Sequence, residues 1–333
     1  MRLKVSSIKN WVKGFCTLLT LNIYIIMHIT TKKSTRIIFA PLIKFTEWLG
    51  RNYPVTLVRI RYFARFRRFV NLTNPQDLNE KILYLKLFSD TSVWTELADK
   101  YKVRDYVKSC GLEEILVKLY GVWFSSEDFT LNGLPESFIL KANNGDGKGS
   151  NLIVKNKNKW SELELKKIIK EWLDKRNVGA LASEPQYKGM IPCVIAEELL
   201  PADQGSKSLV DYKIWCFNGK PYYIWACSDR DNFGTDVMTY SLNWDPIPEA
   251  SVFDSRYRKG EIIAKPKNLN KMLEVAEILA KPFPQVRIDL YNIDGKVFFG
   301  ETTFTSLGGM MDFYTPEFLL EMGNLLDLNY KNK

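Results

Sequence analysis

The sequence predicts an α+β chain whose strands pair as antiparallel hairpins, and three observations carry this. Apolar residues 211–217 and 221–230 flank Asn218-Gly219, a dipeptide that tolerates positive φ at both positions of a tight hairpin turn. Strand-like residues 137–141 and 152–154 are joined by a glycine-bearing polar loop, which gives strand, loop, strand and not a strand running into a helix. Residues 286–303 form a third hairpin around Asp294-Gly295, with polar groups recurring at spacing two on apolar strands. Amphipathic helical patterns occupy other stretches.

With 333 residues the chain can bury a substantial core and has room for two or three domains. Its net charge of +9 is unevenly spread. Residues 1–70 hold 14 of the 47 Lys and Arg and, in Glu47, one of the 38 acids, so the remainder is mildly acidic. That argues against a general nucleic-acid-binding surface on the folded body. Five cysteines without a C-x-x-C pair suggest neither a disulfide framework nor a zinc site, and fit a reducing compartment. The single histidine, His28, lies in an apolar run, which disfavours Ser-His-Asp, Cys-His and His-rich metal chemistry. Catalysis would then rest on carboxylates, Lys, Arg or a cofactor.

The elements follow in chain order. Residues 14–31 carry no formal charge and are flanked by Lys13 and Lys32, at the lower limit of length for a membrane span. Asn22, His28 and several threonines weaken a span, and no small-residue cleavage pattern follows. Arg59, Arg61, Arg65, Arg67 and Arg68 interleave with aromatics, a composition suited to an anionic membrane surface. Surface attachment is the expectation, with a span, plain packing or RNA contact as alternatives; either membrane case leaves the body in the cytoplasm. Asn71 to Pro75 reads as a turn, residues 78–88 as an amphipathic helix, and Asp99 as the start of another. Ser161 and Glu164 form a capping box that opens a helix to about Arg176. Residues 192–200 read as a buried strand carrying Glu197 and Glu198, and residues 272–280 as a short helix.

On the last hairpin, Arg287 and Asp289 share one face, as do Glu301 and Thr303. A two-residue Asp294-Gly295 loop would set Asp289 opposite Gly300 and turn Glu301 away. A three-residue loop from Ile293 to Gly295 puts all four on one side, and this is the loop we expect. Two carboxylates lying diagonally across a ribbon repel unless a cation sits between them; hard oxygen donors beside an arginine suit Mg²⁺ carrying a polyphosphate. The plain alternative is a solvated hairpin face.

The glycine loop at residues 142–151 matches neither a Walker loop, since Lys148 is followed by Gly149, nor G-x-G-x-x-G, since the glycines fall at 145, 147 and 149. It is a hairpin tip whose amides can fold over phosphates, or simply a turn. Lys100, Lys141, Glu197/Glu198, Lys213, Arg287, Asp289 and Glu301 follow one another in an order that resembles the ATP-grasp superfamily, and more closely its TupA-like branch from surface-polysaccharide gene clusters. The resembling pieces are Asn79-Glu-Lys-Ile82, Ala98-Asp-Lys-Tyr-Lys-Val-Arg104, Phe138-Ile-Leu-Lys-Ala-Asn-Asn-Gly145, Asp211-Tyr-Lys213, Cys216-Phe-Asn-Gly-Lys-Pro221, Ser228-Asp-Arg230, Arg287-Ile-Asp-Leu-Tyr291 and Gly300-Glu-Thr-Thr-Phe-Thr305.

The resemblance implies an ATP-grasp fold, two α+β subdomains with antiparallel sheets clamping ATP. The expected division is a membrane-associating arm at 1–70, a helical region at 71–130, a lid subdomain at 131–200 and a metal-binding subdomain at 201–330. It implies that Lys100 and Lys141 bind the nucleotide phosphates under a lid of Gly145, Gly147, Gly149 and Ser150. Glu197 or Glu198 would take a ribose hydroxyl, and Lys213 would approach phosphate or the first substrate. Asp289 and Glu301 would hold Mg²⁺, and Arg287 would stabilise the transferring phosphoryl group. Thr303 stands where most ATP-grasp ligases carry asparagine, which puts a second metal in doubt. The implied activity is carboxylate-amine ligation through an acyl phosphate, with a uronic acid or polysaccharide precursor and an amine or amino acid as substrates. A sugar phosphotransferase, a glycosyltransferase or a non-catalytic scaffold are the rivals.

Overall fold

A computed structural model describes residues 40–145, 149–175, 178–201, 208–231 and 233–331. The apolar run at 14–31 and Gly147 lie outside the described residues. Helices α1 (Ala40–Asn52) and α2 (Pro54–Phe66) are separated by Tyr53, and Pro54 takes the first helical position of α2, where no amide partner is needed. Helix α3 (Leu78–Phe88) begins where expected, capped by Asp77, whose side chain accepts from the Glu80 amide. The short α4 (Ser92–Leu97) and α5 (Val103–Ser109) follow.

The helix expected from Asp99 starts only at Val103. Asp99 instead accepts from the amides of Tyr101 at 2.8 Å and Lys102 at 3.2 Å, a local side-chain turn that competes with the helix, and the Lys100 amide donates to the Asn143 carbonyl.

Strands β1 (Leu119–Trp123), β2 (Phe138–Ala142), β3 (Asn151–Val154) and β4 (Val194–Glu197) form a four-stranded antiparallel sheet in the order β1-β4-β2-β3. Its core of Phe138, Leu140, Val154 and Val194 is covered by Leu165, Ile169 and Trp172 of α6 (Glu162–Leu173). The Ser161/Glu164 capping box is present, and α6 stops at Leu173, short of Arg176.

Strands β5 (Asp211–Phe217), β6 (Lys220–Ser228), β7 (Thr235–Ser241), β8 (Tyr257–Lys259), β9 (Gln285–Ile293) and β10 (Lys296–Thr303) make a six-stranded sheet in the order β10-β9-β5-β6-β7-β8. Helix α7 (Leu269–Ala280) covers one face, and α8 (Pro316–Leu325) closes the chain. Asn218 (φ 50°) and Gly219 (φ 75°) make the tight turn that the sequence predicts between β5 and β6.

The arginines of residues 59–69 are turned to other work than the one expected. Arg61 donates to the Leu181 carbonyl, Arg65 pairs with Asp312 at 2.7 Å, and Arg68 pairs with Asp77 and with Glu80 at 2.8 Å. Tyr62 between them is fully buried. This stretch faces the body because the acids Asp77, Glu80 and Asp312 lie there; Arg61 and Arg65 are partly buried, while Arg59, Arg67 and Arg68 remain exposed.

The segment 179–187 acts as a strap between N-terminal helices and C-terminal turn. Gly50 of α1 lies against the Ala180 carbonyl so closely that a Cβ there would sit 1.9 Å from its oxygen. On the other side, a Cβ at Gly308 would sit 3.1 Å from the Ala182 Cβ, and Thr305 donates to Glu184 at 2.6 Å. Lys86, buried in α3, donates to the carbonyls of Ala182 at 2.8 Å and Gly308 at 2.7 Å. Burial holds its ammonium down at about 7, with Glu184 opposing and Arg61 adding to the drop.

Candidate active site

The last hairpin turns through two residues, not three: Asp294 (φ 50°) and Gly295 (φ 80°) form the loop, and Ile293 pairs with Lys296. Taken alone that loop would turn Glu301 away from Asp289. A bulge reverses the outcome: the pairing steps from Phe299↔Leu290 to Glu301↔Asp289, leaving Gly300 as the extra residue. All four polar residues therefore share one face, as expected, by a different device. A Cβ at Gly300 would lie 2.9 Å from the Asp289 carbonyl oxygen, so the bulge needs glycine there.

Pairing with β5 extends the array. Lys213 sits directly across from Asp289 and Trp215 from Arg287, so Lys213, Asp289 and Glu301 form one row and Trp215, Arg287 and Thr303 the next. Arg287 donates to Asp289 through Nε (2.7 Å) and Nη2 (2.7 Å), to Ser306 through Nη1 (2.7 Å), and to Thr303 Oγ1 (3.1 Å). Burial would lower its pKa, but Asp289 and Glu301 outweigh that and raise it. Thr303 also donates to Glu301 Oε1 at 2.9 Å, so its hydroxyl links acid and guanidinium.

Lys213 is buried between Asp289 and Asp211, the latter at 2.6 Å; these acids overcome the desolvation of the ammonium and raise its pKa. Glu301, whose side chain is 40% exposed, lies 3.8 Å from Lys100. Burial would raise its carboxyl, but Lys100, Lys213 and Arg287 hold it down at about 2.

The smaller sheet supplies the second half. Lys141 and Glu197 are diagonal neighbours across β2 and β4, and Lys141 Nζ meets Glu197 Oε2 at 2.8 Å. Arg104 of α5 holds the other oxygen of Glu197 at 3.0 Å and donates to the Val117 carbonyl at 2.9 Å. Glu198 is exposed on the opposite side, its amide donating to the Lys118 carbonyl. At the loop, a Cβ on Gly145 would sit 2.3 Å from Ser150 Oγ, Gly149 takes φ 81°, and Ser150 is buried.

Lys100 joins the halves: its Nζ donates to the Gly145 carbonyl at 2.7 Å and faces Glu301 on the large sheet. The buried side chain of Asn143 sets this up. It donates to Asp99 (2.7 Å) and to the Ile191 carbonyl (2.9 Å), and accepts from the Cys193 amide (2.9 Å). A cleft lined by Lys100, Arg104, Lys141, Glu197 and Gly300 opens between the sheets.

Sequence reasoning gave no role to Asp211, Arg104 or Asn143. For Asp211 the signal was available, because the alternation that groups Arg287 with Asp289 also groups Asp211 with Lys213. Arg104 and Asn143 act through partners remote in sequence and leave no local trace.

The donor set fits a magnesium ion arriving with phosphates. Asp289 and Glu301 are hard carboxylates on one face, and the buried Oδ1 of Asp211 has no hydrogen-bond partner among the described residues. Among the described residues no group of three or more His, Cys, Asp or Glu forms a self-sufficient metal cage. Mg²⁺ held by one or two carboxylates completes its shell with substrate phosphates and water.

Among solved structures the chain is similar to D-alanine--D-alanine ligase from Bacillus anthracis, with 16% identity over 69% of this chain and 66% of that one and a TM-score of 0.42. It is also similar to D-alanyl-alanine synthetase A from Vibrio cholerae (12%, 75% and 64%, 0.41) and to a biotin carboxylase from Campylobacter jejuni (13%, 74% and 47%, 0.38). The chain thus spans less than two thirds of the length of these proteins. A comparison with curated protein sequences finds no match. The family model described as TupA-like ATPgrasp matches residues 80–327, from within α3 to beyond α8, a stretch that takes in every site residue named above. The chain therefore belongs to the TupA-like ATP-grasp family and has its α+β fold.

Proposed function

We propose that this protein is an ADP-forming carboxylate-amine ligase acting on a cell-surface polysaccharide precursor, with a uronic acid as the carboxylate and an amine or amino acid as the nucleophile. The observation that carries the reading is the position of Lys100, within reach of both the glycine loop and Glu301, where cations of one sheet meet acids of the other. Such a site spreads triphosphate charge over fixed cations and amides and needs no covalent catalyst from the protein.

Lys100 and Lys141 hold phosphate oxygens, with amides of the Gly145, Gly149 and Ser150 segment closing over them. Glu197, gripped by Arg104, holds Lys141 until phosphate takes its place as partner. Asp289 and Glu301 hold Mg²⁺, whose contribution is to neutralise phosphate charge. Arg287 fixes Asp289 through two parallel hydrogen bonds, and Lys213 orients the first substrate's carboxylate. A carboxylate oxygen attacks the terminal phosphorus and ADP departs. The amine then attacks the acyl carbon, inorganic phosphate leaves, and the amine gives up its proton.

Product analysis with candidate acids and amines tests this. Amide, ADP and free phosphate form in equal amounts, and Asp289→Asn lowers turnover on the order of a hundredfold, the loss of a few kcal/mol of charge stabilisation. Phosphate retained on a sugar, or activity unchanged in Asp289→Asn, would overturn it.

A further inference from the structure

The outer face of α1 presents an unusual surface to solvent. Pro41, Lys44, Phe45, Trp48, Arg51 and Asn52 recur at helical spacing and all are exposed, while Thr46, Leu49 and Gly50 face the body. Phe45 is 47% exposed and Trp48 49%, with their rings stacked at 5.9 Å; Tyr53, 54% exposed, continues the ridge 5.4 Å from Trp48. Single exposed aromatics are ordinary, whereas a contiguous ridge rimmed by cations marks an interaction surface. Gly50, pressed on the Ala180 carbonyl, fixes which face looks outward.

Three features choose the occupant. Aromatic rings beside Lys and Arg on one side of a short helix make the composition that lies in a bilayer interface. The chain leading into α1 matches it: residues 1–39 hold seven Lys and Arg, no acid, and the charge-free run at 14–31. Two copies of this chain packed by a two-fold axis would bring Lys44 and Arg51 against their own like charges, which disfavours self-association. No helix among the described residues is long and apolar enough to cross a membrane, so an in-plane arrangement is the geometry available to α1.

We propose that α1 docks in the headgroup plane of an anionic membrane, with Phe45, Trp48 and Tyr53 at the acyl boundary and Lys44 and Arg51 on lipid phosphates. The docking face is α1 and not residues 59–69, three of whose arginines are paired with the body.

Flotation of the full chain with phosphatidylglycerol/phosphatidylcholine vesicles, against pure phosphatidylcholine, tests it. The protein floats with the anionic vesicles, and salt releases it. Phe45→Ser with Trp48→Ser weakens binding by about tenfold or more, while Phe45→Leu with Trp48→Leu retains most of it. Lys44→Gln with Arg51→Gln weakens binding to anionic vesicles, and decides the matter if the serine pair fails to fold. Flotation of a folded serine pair equal to that of the unaltered chain would assign attachment to residues 1–39 alone and overturn the proposal. So would unchanged binding by the glutamine pair, or light scattering that shows a dimer dissolved by the serine pair with no vesicle binding.

Discussion

Lys86 carries its ammonium on two backbone carbonyls, those of Ala182 and Gly308, with Glu184 and Arg61 as its charged neighbours. Its folded pKa of about 7 lies below the ordinary 10.5. Between those two values the unfolded chain binds more protons than the folded one, so stability rises with pH across that window. Below pH 7 the cost of the buried charge is complete and constant. Thermal melts of Lys86→Met are expected to lack the rise between pH 7 and 10 that the unaltered chain shows. The same scale shows how little of Lys86's role can be read from its neighbours in sequence. It sits on an amphipathic helix like any surface lysine, and the carbonyls it joins belong to segments far along the chain. Arg104 and Asn143 were obscure for the same reason, whereas Arg287, Asp289 and Glu301 stood out because strand alternation is a local rule.

At the scale of elements, the Gly300 bulge decides which face Glu301 occupies. Gly300→Ala pushes a methyl group against the Asp289 carbonyl, and overpacking of this kind costs about 1–3 kcal/mol. Chemical denaturation measures that loss, and ATP turnover is expected to fall further than stability alone explains, because the Asp289 and Glu301 row loses its register. The hairpin is also where sequence reading reached the right arrangement by the wrong path. Asp294-Gly295 states its two-residue turn openly, but a bulge five residues on has only a glycine to announce it. The turn at Asp99 was hidden differently, since a single side chain captured two amides that a helical pattern would claim. The Asn79-Glu-Lys-Ile82 piece is architectural. Asn79 grips Met311 through both amide groups, and Lys81 caps the carbonyls of Gly323 and Leu326 at the end of α8.

For the molecule as a whole, the two sheets and their facing groups were legible, while the seating of the N-terminal helices was not. A run of arginines and aromatics has the same pattern whether it meets lipid or the acids Asp77, Glu80 and Asp312. Shortened chains separate the two parts of that region. A chain beginning at residue 67 uncovers the surroundings of Leu57, Val58 and Tyr62, all fully buried, and melts lower than one beginning at residue 40.

The strap at 179–187 touches α1 on one side and the turn after β10 on the other, with Lys86 rooted in both. Deleting the leading helices would thus strip the backing from the turn after β10 as well as the anchor. Lost activity in such a chain could not be ascribed to lost anchoring, and only changes confined to the outward ridge of α1 dissect one from the other.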